Sequence, residues 1–99
     1  MLNLKSLQKR VYKNKVQKGF NVTDIYEEFA LIHGEVSEAV RAYYYKKDDL
    51  GEELADVMIY LLGLAEILGI DLEKELLTKI AKNEKRKYKK ENGVLKKIK

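Results

Sequence analysis

Apolar residues recur every three or four positions along most of the chain, the period of an α-helix with one buried face. Leu4, Leu7 and Val11 open the first stripe, which runs to near Gly19, a residue suited to closing a helix. Ile25, Phe29, Ile32, Val36, Ala39/Val40 and Tyr43 form a second, with Asn21 or Thr23 as its candidate cap. Leu50, Leu54, Val57/Met58, Leu61, Leu64/Ala65 and Leu68 form a third. It starts at Asp49, followed three residues on by Glu52 in the manner of a capping box, and stops at Gly69. Asp71 caps a fourth helix carrying Leu72, Leu76 and Ile80. Asn92-Gly93 marks a turn, and residues 92–99 are expected to be a loose basic tail. There is no strand alternation, internal repeat or low-complexity linker. The pattern predicts an all-α, antiparallel bundle of about four helices in one domain spanning 1–99, with its core at about 22–90. Four helices leave apolar surface uncovered, so oligomerisation is expected to complete the bundle.

Composition narrows the class. The 99 residues contain no cysteine and no proline, which excludes a disulfide framework and thiolate metal sites and fits a reducing compartment. The N-terminus alternates leucine with lysine and presents no signal-peptide apolar run. The longest apolar stretch, Val57–Ala65, is far short of a membrane span. A cytoplasmic protein without a membrane partner is therefore expected.

The net charge of +4 hides segregation. Residues 1–20 carry six basic groups and no acidic one, residues 21–78 fourteen acidic and four basic, and residues 79–99 ten basic and two acidic. An acidic middle flanked by basic ends suits an anionic ligand held through cations at one end and lysine or arginine at the other. Lysines on solvated helix faces would give the same counts.

Two acidic pairs stand at mirrored positions about the turn near Lys46–Asp48: Glu35/Glu38 before it and Glu53/Asp56 after it. Each has i, i+3 spacing, so its members project from one side of a helix. At about 1.5 Å per residue, the two pairs fall at similar levels of a helical hairpin. At about 100° per residue, Glu35 lies some 80° and Glu53 about 60° from the centre of its own apolar stripe. These are boundary positions beside a core. Four carboxylates converging there repel one another unless a cation neutralises them, and oxygen-only ligands suit magnesium better than zinc or iron.

On the fourth helix Lys79, Asn83 and Arg86, spaced i, i+4, i+7, share a face that prolongs the stripe of Leu72 and Leu76. Polar groups extending a buried face suit a polyanion. His33 lacks the E-x-x-H spacing of a di-iron ligand and reads as a packing histidine on the second helix. Tyr43, Tyr44 and Tyr45 read as core or subunit contacts, while Tyr60 lies on the Glu53/Asp56 flank, nearer a substrate. No P-loop, dinucleotide turn or nucleophile motif is present.

The segments Ala30-Leu-Ile-His-Gly-Glu-Val-Ser-Glu-Ala39, Glu52-Glu-Leu-Ala-Asp-Val57 and Leu68-Gly-Ile-Asp-Leu72 resemble the MazG-like nucleoside triphosphate pyrophosphohydrolases. That all-α superfamily also includes dimeric dUTPases and phosphoribosyl-ATP pyrophosphohydrolase. The resemblance spans roughly residues 25–88. Its E-E-x-x-E and E-x-x-D signatures imply that Glu35, Glu38, Glu53 and Asp56 bind magnesium. It also implies that Lys79, Asn83 and Arg86 face the nucleotide phosphates, and that the chain forms dimers, sometimes paired into tetramers. Gly34 stands where the fuller signature has a second glutamate, and Lys87 where a proline is frequent.

The expected activity is hydrolysis of a nucleoside triphosphate to monophosphate and pyrophosphate, with Mg2+ as cofactor, Mn2+ able to substitute, and nucleotide-pool housecleaning as one role. Glu38, with Glu35, is the candidate for orienting or deprotonating the water. Nucleic acid is not the expected partner. Two alternatives remain open: hydrolysis of phosphoribosyl-ATP, and a non-enzymatic helical module binding nucleic acid or a protein partner.

Overall fold

The computed structural model describes residues 2–98. Four helices follow in order, α1 (Leu4–Gln17), α2 (Ile25–Tyr44), α3 (Leu50–Ile67) and α4 (Leu72–Lys85), and then two strands, β1 (Lys87–Glu91) and β2 (Val94–Ile98). Each α1, α2 and α4 start is fixed by a side-chain cap, from Asn3 to the Ser6 N–H, from Asp24 to the Glu27 N–H, and from Asp71 to the Lys74 N–H. Asp24 thus takes the place expected for Asn21 or Thr23. Asn21 instead folds the preceding turn, where its Oδ1 accepts from the Thr23 and Asp24 N–H groups. Asp49 opens α3 but makes no cap hydrogen bond, so the expected capping box is not formed there. Gly19 and Gly69 end α1 and α3 with φ of 76° and 69°, the left-handed region in which glycine carries no Cβ penalty.

Helices α2 and α3 form the central antiparallel hairpin, and α1 lies along α3. The close approach of α1 to α3 needs Gly63, where an added Cβ would come within 3.2 Å of Lys15 Cδ and 3.3 Å of Val11 Cγ1. Gln8, 1 % exposed, splices α1 to the α3–α4 turn. Its amide donates to the Ile70 carbonyl (2.9 Å) and accepts from the Leu72 N–H (2.9 Å). Glu73 accepts from the Leu4 N–H at 2.9 Å, placing a carboxylate at the positive end of α1. Through these bonds α4 docks on the start of α1 and leads the chain away from the α2–α3 hairpin.

The apolar stripes are only partly covered. Ala39, Ala42, Leu62, Leu64 and Ala65 are buried along α2 and α3. Val40, Leu54 and Leu77 are more than half exposed, and Phe29, Val36, Leu61, Leu76 and Ile80 remain exposed too. The radius of gyration of 16.8 Å exceeds the roughly 13 Å expected of a compact chain this size, and the long axis reaches 51 Å.

The chain after Lys85 corrects the expectation of a loose tail. Strands β1 and β2 pair antiparallel from Lys87↔Ile98 to Glu91↔Val94. Asn92 and Gly93, with φ of 49° and 79°, supply the two-residue turn that matches strand twist. Both strands are exposed throughout.

Candidate active site

Packing of α2 on α3 brings Glu35, Glu53 and Asp56 together. One carboxylate oxygen from each lies within 4.8 Å of the other two. Glu35 and Glu53 are half-buried and Asp56 is exposed, as boundary positions require. No lysine or arginine neutralises them: among the described residues the ion pairs are Lys15–Glu28, Lys89–Glu91 and Lys96–Glu91. Glu38, one turn beyond Glu35, is exposed and outside the tight triad. Its charge still reaches the site, because it helps raise the pKa of both Glu35 and Glu53.

The electrostatics record an uncompensated cluster. Desolvation first, then the charges of Asp56 and Glu38, push Glu35 above its ordinary value of 4.5. Glu53 is raised by desolvation, then by Asp49, Asp56, Glu38 and Glu35. Asp49 is a carboxylate that the sequence pattern had assigned to capping. It stands one turn before Glu53, and its Oδ1 is buried without a hydrogen-bond partner. Three hard oxygen donors, mutually repelling and lacking a basic partner, fit a divalent cation such as magnesium or manganese.

A pH dependence follows. A carboxyl whose pKa is raised by folding holds a proton that the unfolded chain gives up. Stability therefore falls as pH climbs from 4.5 through the raised values, and the whole penalty persists above them. Metal-free protein is expected to melt at progressively lower temperature across that window, and Mg2+ or Mn2+ at neutral pH is expected to reverse the loss. Thermal melts in EDTA against pH, compared with Glu53→Gln, check this. A slope unchanged in the variant would contradict it.

The α4 residues expected to face phosphates are not brought to the triad. Lys79 and Asn83 are exposed and Arg86 half-buried, and α4 packs chiefly on α1. His33 is exposed, not packed as expected, because its side of α2 faces away from α3. Tyr43, Tyr44 and Tyr45 are all exposed; Tyr44 and Tyr45 meet edge to face at 5.0 Å, and Arg41 lies over Tyr45.

Sequence patterns gave no sign of a buried ion pair beside the site. Lys15 of α1 donates to Glu28 of α2, with residue exposures of 7 % and 0 %. Asn21 Nδ2 donates to the second Glu28 oxygen at 3.0 Å. The Lys15 ammonium sits 5.2 Å from the centre of the Tyr60 ring. Tyr60 links pair and triad: burial raises its hydroxyl pKa first, then Glu35, Glu28 and Asp56.

The model of the MazG-like family matches residues 28–99. A solved structure, the cyanophage S-2L MazG-like pyrophosphohydrolase bound to dGDP and three catalytic Mn2+ ions per active site, shares the fold. The TM-score is 0.70, with 23 % sequence identity over 100 % of both chains. No curated protein matches the chain. No helix among the described residues is long and apolar enough to cross a membrane.

Proposed function

Because the chain belongs to the MazG-like family, we propose that it is a divalent-metal-dependent pyrophosphohydrolase. It converts a nucleoside triphosphate and water to the monophosphate and pyrophosphate. The observation that carries this is the convergence of Glu35, Glu53 and Asp56 oxygens within 4.8 Å, without a basic partner. The pyrophosphohydrolase activity and catalytic Mn2+ ions named for the cyanophage protein support it.

Glu35, Glu53 and Asp56, with Glu38 alongside, hold the cation, Mg2+ or in its place Mn2+. The chemistry supplied by bound cations is neutralisation of triphosphate charge and acidification of an attacking water. Glu38, solvent-exposed and outside the triad, is left to orient that water or take its proton. Lys79 and Arg86 clamp phosphate oxygens, and Asn83 adds a neutral hydrogen bond.

Since α4 leads away from the hairpin of its own chain, these three residues serve the site of a second copy. Partnering would also cover the exposed faces carrying Val36, Val40, Leu54 and Leu77. A homo-dimer or homo-tetramer is the expected state, and a monomer by light scattering at micromolar concentration would count against it.

The direct test is pyrophosphate release from a panel of canonical and damaged nucleoside triphosphates plus phosphoribosyl-ATP, with and without EDTA. Metal-dependent release with a monophosphate product is expected, and Glu38→Gln is expected to abolish it while remaining folded. Silence from folded protein across the panel would overturn the proposal.

A further inference from the structure

One turn from the triad, along both helices of the hairpin, a groove of about 1130 Å³ opens between α1, the first half of α2 and the middle of α3. Its apolar walls include Leu31, Met58 and Ile59, and its polar groups include Lys15, Glu28 and Tyr60. Leu31 lies one turn before Glu35 and Tyr60 one turn after Asp56. Because α2 and α3 are antiparallel, both steps lead the same way. The groove therefore starts where a ligand with its phosphates at the triad would extend its remaining half. Its volume exceeds what a nucleoside needs, and largely apolar walls with few fixed polar groups are typical of small-ligand sites.

The polar wall is built. Lys15 and Glu28 are each more than nine-tenths buried. Both Glu28 oxygens are engaged, one by Lys15 and the other by Asn21. Asn21 is itself held, donating to the Asp24 carbonyl at 2.8 Å and accepting from the Thr23 and Asp24 N–H groups. An ammonium carries three donors and no acceptor. One donor goes to Glu28, and no protein acceptor takes the others among the described residues. Of this buried pair, Lys15 therefore keeps donors free for a ligand while each Glu28 oxygen is already engaged.

Resting on the pyrophosphohydrolase activity proposed above, we infer that this groove seats the nucleoside half of the substrate and that Lys15, fixed by Glu28, reads a keto oxygen on the base. Guanine and hypoxanthine present that oxygen at C6, and uracil and thymine at C4. Adenine and cytosine present an amino donor there, which would face the ammonium donor to donor. Tyr60 lies under the ammonium and closes the wall on the triad side.

The test compares kcat/KM for dITP with dATP, and for dUTP with dCTP, in saturating Mg2+. Each pair differs at the keto or amino group. A hydrogen bond from a charged donor predicts a keto preference of about tenfold to a hundredfold. In the charge-neutral double variant Lys15→Met/Glu28→Gln, checked for folding by circular dichroism, both ratios are expected to collapse toward one. Lys15→Arg, which keeps the charge beside Glu28, is expected to retain part of the preference. Equal rates in the wild type, a preference for amino bases, or a folded double variant with unchanged ratios would each overturn the inference. The wild-type comparison needs no variant to fold. Metal-dependent release without base discrimination overturns this inference alone, whereas no release from any nucleotide overturns the activity beneath it.

Discussion

An Asp56→Asn variant is expected to fold as well as the wild type or better, and to release pyrophosphate at least about a hundredfold more slowly. Loss of a group merely supporting a metal ligand costs about ten- to a hundredfold, and Asp56 contributes one of the three converging oxygens themselves. Its charge, like that of Glu38, raises both Glu35 and Glu53. Neutralising it relieves repulsion in the metal-free chain while removing a donor from the cation. The variant should therefore melt no lower than the wild type in EDTA and gain less from added Mn2+. Rate measurements paired with melts in EDTA and in Mn2+ separate these effects. A near wild-type rate would remove Asp56 from the site, and a lower melting temperature in EDTA would show that the cluster does not repel itself as argued.

Glu28→Gln is expected to cost about 3–5 kcal/mol of stability, the range for breaking a buried ion pair from one side. Glu28 is fully buried and Lys15 nearly so. The substitution leaves a nearly buried ammonium without its counter-charge. For a domain of this length, that should lower the melting temperature by about ten degrees or more. Restoring neutrality in Lys15→Met/Glu28→Gln should recover much of the loss, because both charges are then gone and the lysine stem is replaced by a similar volume. Urea unfolding of the two variants and the wild type measures both terms. A single variant within about 1 kcal/mol of wild type would mean the pair is solvated in solution.

Helical periodicity carried most of the fold because it is local: the four stripes and the glycines that end α1 and α3 follow from spacing and backbone freedom alone. The triad was legible for the same reason, since two i, i+3 pairs on either side of a short turn must face each other if the helices pack. The Lys15–Glu28 pair was not. It joins residues thirteen apart on different helices, and a lysine in a basic N-terminal run carries no local mark of burial. The direction of α4 was equally hidden. That Lys79, Asn83 and Arg86 share a face follows from spacing, but which hairpin they meet depends on how Gln8 and Glu73 fasten the α3–α4 turn to α1. The β1–β2 strands escaped notice because Lys87-Tyr-Lys-Lys-Glu91 lacks apolar alternation, although the Asn92-Gly93 turn was visible.

That terminal hairpin has a bearing on how the molecule behaves in a crowded solution. Among the described residues the two strands pair only with each other and leave both outer edges open, the geometry that seeds edge-to-edge aggregation. Tyr88, Val94, Leu95 and Ile98, all exposed, would favour such stacking. Lys87, Lys89, Lys90, Lys96 and Lys97 are interleaved among them on the same two strands, against one acidic residue, Glu91. A second hairpin arriving in register would bring lysine against lysine along the shared edge. The lysines thus act as gatekeepers, keeping an arm with open edges from becoming a template for its neighbours.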